Sequence, residues 1–129
     1  MNKTIFSVGV LFGTLAVVLG AFGAHGLEKF VEAKAVASFK TGVTYQMYHA
    51  FFLMVLAGTK QLPEKNKKTI FYLITIGTFL FSTSIYFLAT NSLTIFNFKK
   101  IAIITPLGGI VLIAGWITLA IVTYKKWKE

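Results

Sequence analysis

The sequence predicts an all-α integral membrane protein, a four-helix bundle with a short amphipathic interfacial helix between helices 1 and 2. Three observations carry that expectation. The 129 residues are 56% hydrophobic and 13% charged, against roughly 45 to 50% apolar residues in a soluble domain. The mean hydropathy is +0.74, which leaves too few polar side chains to cover a water-facing surface. The charges that are present gather at the edges of four long uncharged runs.

The first run holds 24 residues between Lys3 and Glu28, more than the ~20 that cross a hydrocarbon core about 30 Å thick. Lys3 in front and Ala21, Gly23 and Ala24 behind imitate a signal peptide. The stretch from Thr4 to Ala24 is 21 residues long, whereas a secretory apolar region has roughly 7 to 15, so a retained span over residues 4–25 is expected. Along it Gly9, Gly13, Ala16, Gly20 and Gly23 recur at steps of four and three. That spacing draws one continuous stripe of small residues, on which a second helix can approach closely.

From Leu27 to Lys40 the residues Leu27, Phe30, Val31, Ala35 and Phe39 fall at helical spacing, with Glu28, Lys29, Glu32 and Lys40 elsewhere. This is the pattern of a short helix lying among lipid head groups with its apolar face in the acyl chains. The second run, 19 residues between Lys40 and Lys60, predicts a span over 41–59. Lys60 to Lys68, with Pro63 and Asn66, reads as a turn.

The third run has 30 residues from Thr69 to Phe98, too many for one crossing. The span is expected over 69–89, followed by an interfacial loop from Thr90 to Lys100 that carries Phe96 and Phe98. Thr75, Thr78, Ser82 and Tyr86 share one face of this helix, and their hydroxyls can bridge helices. The fourth run, 24 residues from Ile101 to Tyr124, predicts a span over 102–124 with Gly108, Gly109 and Gly115 at its packing face. Its start has two readings. Either Thr105 caps a helix whose first residue is Pro106, or Pro106 kinks a helix begun near Ile101.

Four spans put both termini on one side. That side collects eight lysines (3, 60, 65, 67, 68, 125, 126 and 128) against five (29, 34, 40, 99 and 100) on the other, so both termini are expected in the cytoplasm. All thirteen basic residues are Lys, dispersed between apolar runs. Despite the net charge of +9, no phosphate-reading face is assembled and no nucleic-acid partner is expected. The expected partners are the lipid bilayer and either further copies of the chain or a larger membrane complex.

With no Cys and no Asp, and with Glu28, Glu32, Glu64 and Glu129 all outside the apolar runs, the chain lacks a thiolate nucleophile and an intramembrane carboxylate. No catalytic residue, cofactor or bound metal is expected. Two histidines remain. His25 closes helix 1, where an imidazole can bond the last carbonyls. His49, one turn after Tyr45 and beside Tyr48, forms with Ser82 and Tyr86 a candidate polar patch. It is expected to be neutral and bonded to a carbonyl or hydroxyl, because a charge at that depth is costly.

Two ligand sets can be drawn on these histidines. His25, Glu28 and Glu32 share a face at i, i+3 and i+7 only if helix 1 runs on through Gly26. Haem held by both histidines would need them opposed, whereas His49 lies about 12 Å below the interface at 1.5 Å per residue.

The segments Gly20-Ala21-Phe22-Gly23-Ala24-His25-Gly26-Leu27, Thr41-Gly42-Val43-Thr44-Tyr45-Gln46-Met47-Tyr48-His49 and Thr105-Pro106-Leu107-Gly108-Gly109, with Gly115-Trp116, resemble the YwdK/YgdD family of small membrane proteins (domain of unknown function 423). The resemblance covers essentially the whole chain and implies a bacterial cytoplasmic (inner) membrane location. In one departure, Phe81-Ser82-Thr83-Ser84-Ile85-Tyr86 has Thr83 where the family pattern has glycine. The family has no established activity, so the resemblance implies no site residues. The expected role is a structural or accessory membrane component, ahead of a small-solute transporter or channel acting as an oligomer, and of a quinone- or haem-associated redox subunit.

Overall fold

A computed structural model of the chain describes residues 1–127. Lys128, counted in the lysine sum, and Glu129 lie outside the described residues. Among the described residues every element is helical: α1 (Asn2–His25), α2 (Ala33–Gly58), α3 (Glu64–Ala89) and α4 (Ile104–Lys126), with 3-10 turns at Leu27–Lys29, Asn91–Leu93 and Phe98–Ile101. Helices are the form in which a chain in lipid satisfies its own backbone. Three of them, α1, α3 and the stretch Phe98–Lys126, are long and apolar enough to cross a membrane. The 26-residue α2 matches them in length but carries Thr44, Tyr45, Gln46, Tyr48 and His49 in its middle.

Close backbone packing follows chain order, α1 on α2, α2 on α3 and α3 on α4, and neighbours run antiparallel. The α1 stripe lies on α2. A Cβ built at Gly9 would stand 2.9 Å from the Ala50 carbonyl oxygen, one at Gly20 3.3 Å from Val43, and one at Gly23 2.9 Å from the Phe39 ring. Gly115 meets Ile74 in the same way, Gly108 meets the backbone of Phe81, and Gly77 of α3 meets Leu112, so these three glycines mark the close α3–α4 contact. Gly109 is not part of it, since a Cβ there would sit 3.8 Å from Phe81, an ordinary distance. The tight approach at Gly108 lies beside Phe81, leaving half-buried Thr83 outside the closest contact.

The structure differs from expectation between α1 and α2. There is no separate amphipathic helix from Leu27 to Lys40. A 3-10 turn covers Leu27–Lys29, and Ala33 to Lys40 form the first two turns of α2. The apolar face predicted for acyl chains serves the protein instead: Leu27 and Phe39 are buried with Ala89, and Val31 and Val36 pack beside them. Phe30 alone of that set is well exposed.

Neither reading of the α4 start holds as stated. The helix begins at Ile104, so Pro106 falls in the first turn, where its missing N–H would have had no partner, and no kink is needed. Thr105 is not the cap; its hydroxyl lies 2.6 Å from the Ser84 hydroxyl across the helix pair.

A larger apolar cluster, including Ile5, Leu53, Ile70, Ile74 and Leu112, fills the end that carries the chain termini. At that end Lys67 is 1% exposed. Its Nζ donates to Asn2 Oδ1 at 3.1 Å and lies 3.5 Å from Glu64 Oε1, which ties the start of α1 to α3.

Candidate functional site

Between the two apolar clusters α2 carries a polar layer, because an α-helix sets Gly42, Tyr45, Gln46 and His49 within two turns of one another. The five residues expected as one patch divide into two sets.

In the first, His49 Nδ1 lies 2.7 Å from the Tyr45 carbonyl oxygen, and Trp116 Nε1 of α4 donates to His49 Nε2 at 3.1 Å. A carbonyl only accepts and an indole N–H only donates, so the imidazole is the neutral tautomer with its proton on Nδ1. Phe52 packs edge-on against Trp116 at 4.6 Å, and the Tyr45 ring reaches Phe81 at 5.1 Å. Tyr48 adds no hydrogen bond to this set; its ring lies 6.0 Å from that of Tyr45 and it is 61% exposed.

In the second set, Gln46 joins three helices. Its Nε2 donates to the Phe12 carbonyl of α1 at 2.9 Å, and its Oε1 accepts from the Tyr86 hydroxyl of α3 at 2.7 Å. One turn away the Ser82 hydroxyl donates to the Gly42 carbonyl at 2.7 Å. A Cβ at Gly42 would fall 2.7 Å from Tyr86, so the absence of a side chain there lets α3 close on the layer. The hydroxyls of Thr75 and Thr78, on the same face of α3, have no partner among the described residues.

Sequence reading missed Gln46 as the centre and Trp116 as the partner of His49. Gln46 carried a legible signal: an amide in the middle of a helix bound for lipid needs partners. Trp116, 67 residues from His49, carried none.

His25, Glu28 and Glu32 stand apart at the opposite end of the bundle, all exposed. The Gly26 N–H bonds the Phe22 carbonyl at 2.9 Å, so backbone takes the capping role expected of the His25 ring. Helix α1 stops at His25, and the i, i+3, i+7 face needed for a ligand set does not form. Gly23 opposes Phe39, ten residues before His49, so the two histidines are separated by about 15 Å along the bundle. They do not face each other across a haem pocket, and ligation through His49 Nε2 would require breaking its bond to Trp116.

Beside the first set a groove of about 800 Å³ runs between α2 and α4. Tyr48, His49, Phe52, Val55, Trp116 and Leu119 line it, and it ends at Thr59, Leu62, Thr123 and Trp127.

A family model described as a protein of unknown function (DUF423) matches residues 19–109. The chain is 38% identical over 123 residues to the UPF0382 membrane protein SSP2132 of Staphylococcus saprophyticus, covering 95% of this chain and 98% of the relative. To the UPF0382 membrane protein YwdK of Bacillus subtilis it is 38% identical over 125 residues, 95% of this chain and 98% of the relative. A UPF0382 membrane protein of Haemophilus influenzae is 36% identical over 126 residues, 98% of each. No solved structure matches the chain.

Proposed function

The chain belongs to the DUF423 family, and from that premise we propose that it is a structural or accessory component of the bacterial inner membrane, spanning it four times with both termini in the cytoplasm. One observation supports this most: apart from the Thr75 and Thr78 hydroxyls, the polar side chains midway along the bundle bond one another or the backbone. Gln46, Ser82, Tyr86, His49 and Trp116 all hydrogen-bond across helix pairs or to backbone, the pattern of groups that hold helices in register rather than wait for a ligand. The less apolar α2 is packed between α1 and α3, which supports counting it as the fourth span. The excess of lysines at the end that carries the termini supports their cytoplasmic side. The role assigns the chain no reaction of its own; its work is to present helix faces to a larger assembly.

A solute path is favoured by one observation only, the unpartnered hydroxyls of Thr75 and Thr78. Because the chain has no cysteine, single thiols report on this without background. Thr78 is 1% exposed, and Thr78→Cys in native membranes is expected to resist a water-soluble maleimide while Lys60→Cys reacts. Rapid labelling of both would replace the structural reading with a water-filled path. Proteins that co-purify from native membranes then identify the assembly.

The same distinction applies to His49→Ala. It is expected to lower unfolding stability in detergent by about 1.5 kcal/mol, since the Trp116 N–H loses its acceptor. A variant as stable as the parent would show that the imidazole serves something other than cohesion.

A further inference from the structure

The α2–α4 groove has two chemically different ends and a definite length. Tyr48 to Thr59 on one wall and Trp116 to Trp127 on the other are each eleven residues apart, about 16 Å at 1.5 Å per residue. That is half of a ~30 Å hydrocarbon core. At the deep end the Trp116–His49 bond joins α4 to α2, and the Tyr45 ring rests on Phe81 of α3. The walls are apolar and open, with Val55 70% exposed.

The other end is flanked by cations. Lys60 follows Thr59, and Lys126 lies three residues after Thr123 and beside Trp127 on the groove side of α4, both exposed. The acidic residue near them among the described residues, Glu64, is paired with Lys67. A partner helix would need a face along the full bilayer thickness. A groove of one-leaflet depth with lysines at its mouth matches instead a single hydrocarbon tail below a negative head group.

We propose that this groove is a site for an anionic phospholipid of the leaflet on the side of the chain termini, with one acyl chain along Val55 and Leu119 and its phosphate on Lys60 and Lys126. The site stands on the crossing of the bilayer by α2 and α4 and is independent of the accessory role, so either can fail without the other.

Native mass spectrometry of the purified chain with equal phosphatidylglycerol and phosphatidylethanolamine tests it. The parent is expected to retain phosphatidylglycerol preferentially. Replacing Lys60 and Lys126 together by Gln should lower that retention about tenfold or more and remove the preference. Val55→Trp, which fills the groove from an exposed position, should lower retention of both lipids at unchanged thermal stability.

Equal retention of the two lipids by the parent, or retention by Val55→Trp equal to the parent's, would overturn the site. So would high-yield disulfide dimers of Val55→Cys in membranes, which would show that a second copy covers the groove.

Discussion

Gly108→Ala is expected to destabilise the bundle by about 3 kcal/mol, the upper part of the range for overpacking. A Cβ at this position would lie 2.5 Å from the Phe81 nitrogen, 2.9 Å from its Cα and 3.0 Å from the Leu80 carbonyl carbon. These are backbone atoms of a regular helix, and no rotamer change moves them aside. The helices must separate, and separation also loosens Gly77 against Leu112 and Gly115 against Ile74, where the same helix pair is in contact. Between helices in lipid, close packing supplies most of the attraction, because lipid tails are as apolar as the side chains they replace. Two controls isolate the effect. Gly109→Ala meets only an ordinary 3.8 Å contact and Gly58→Ala meets nothing within 4 Å, so both should be neutral or gain a few tenths from helix propensity. Unfolding in mixed detergent micelles measures all three, and a Gly108→Ala variant as stable as Gly109→Ala would refute the tight α3–α4 contact.

Gln46→Leu should cost about 2 kcal/mol, because it removes two interhelical bonds at roughly 0.6 to 2 kcal/mol each. The residue keeps its approximate volume, so little of the loss is cavity. Part of the cost comes from the Tyr86 hydroxyl, left half-buried without its acceptor. Tyr86→Phe alone should cost about 1 kcal/mol, yet add almost nothing to Gln46→Leu, a coupling near 1 kcal/mol in a double-mutant cycle. Strict additivity would mean that the 2.7 Å bond between these side chains does not contribute to stability.

The positions in these predictions were unequally visible in the sequence. The α1 stripe could be read without coordinates because Gly9, Gly13, Ala16, Gly20 and Gly23 repeat with the helix's own period. Gly42 and Gly77 are solitary, and a single glycine carries no period that shows which way it faces. The segment from Leu27 to Lys40 differs from its sequence pattern for a related reason. Helical periodicity reports that one face is apolar, but a face buried on Ala89 and one buried in acyl chains have the same pattern. Lysines at 34 and 40 also do not end a helix, so α2 runs through both to Gly58.

The site was legible in its members and not in its pairing. The sequence alone groups Tyr45, Tyr48, His49, Ser82 and Tyr86 as one polar patch within the bundle. That His49 turns to Trp116, Tyr86 to Gln46 and Ser82 to Gly42 depends on how far each helix is rotated about its axis, which hydropathy does not encode.

The sequence by itself determined that this chain is helical, that it belongs in a membrane, and where its long apolar stretches lie. Those properties follow from the cost of exposing backbone and charge to hydrocarbon, a cost each segment meets locally. Only the tertiary structure decided which helices pack together, which glycines are in contact, and which polar groups satisfy one another. Lipid and protein interior are nearly equally apolar, so hydrophobicity sets a residue's depth but not its neighbour; close packing and hydrogen bonds between segments far apart in the chain choose that.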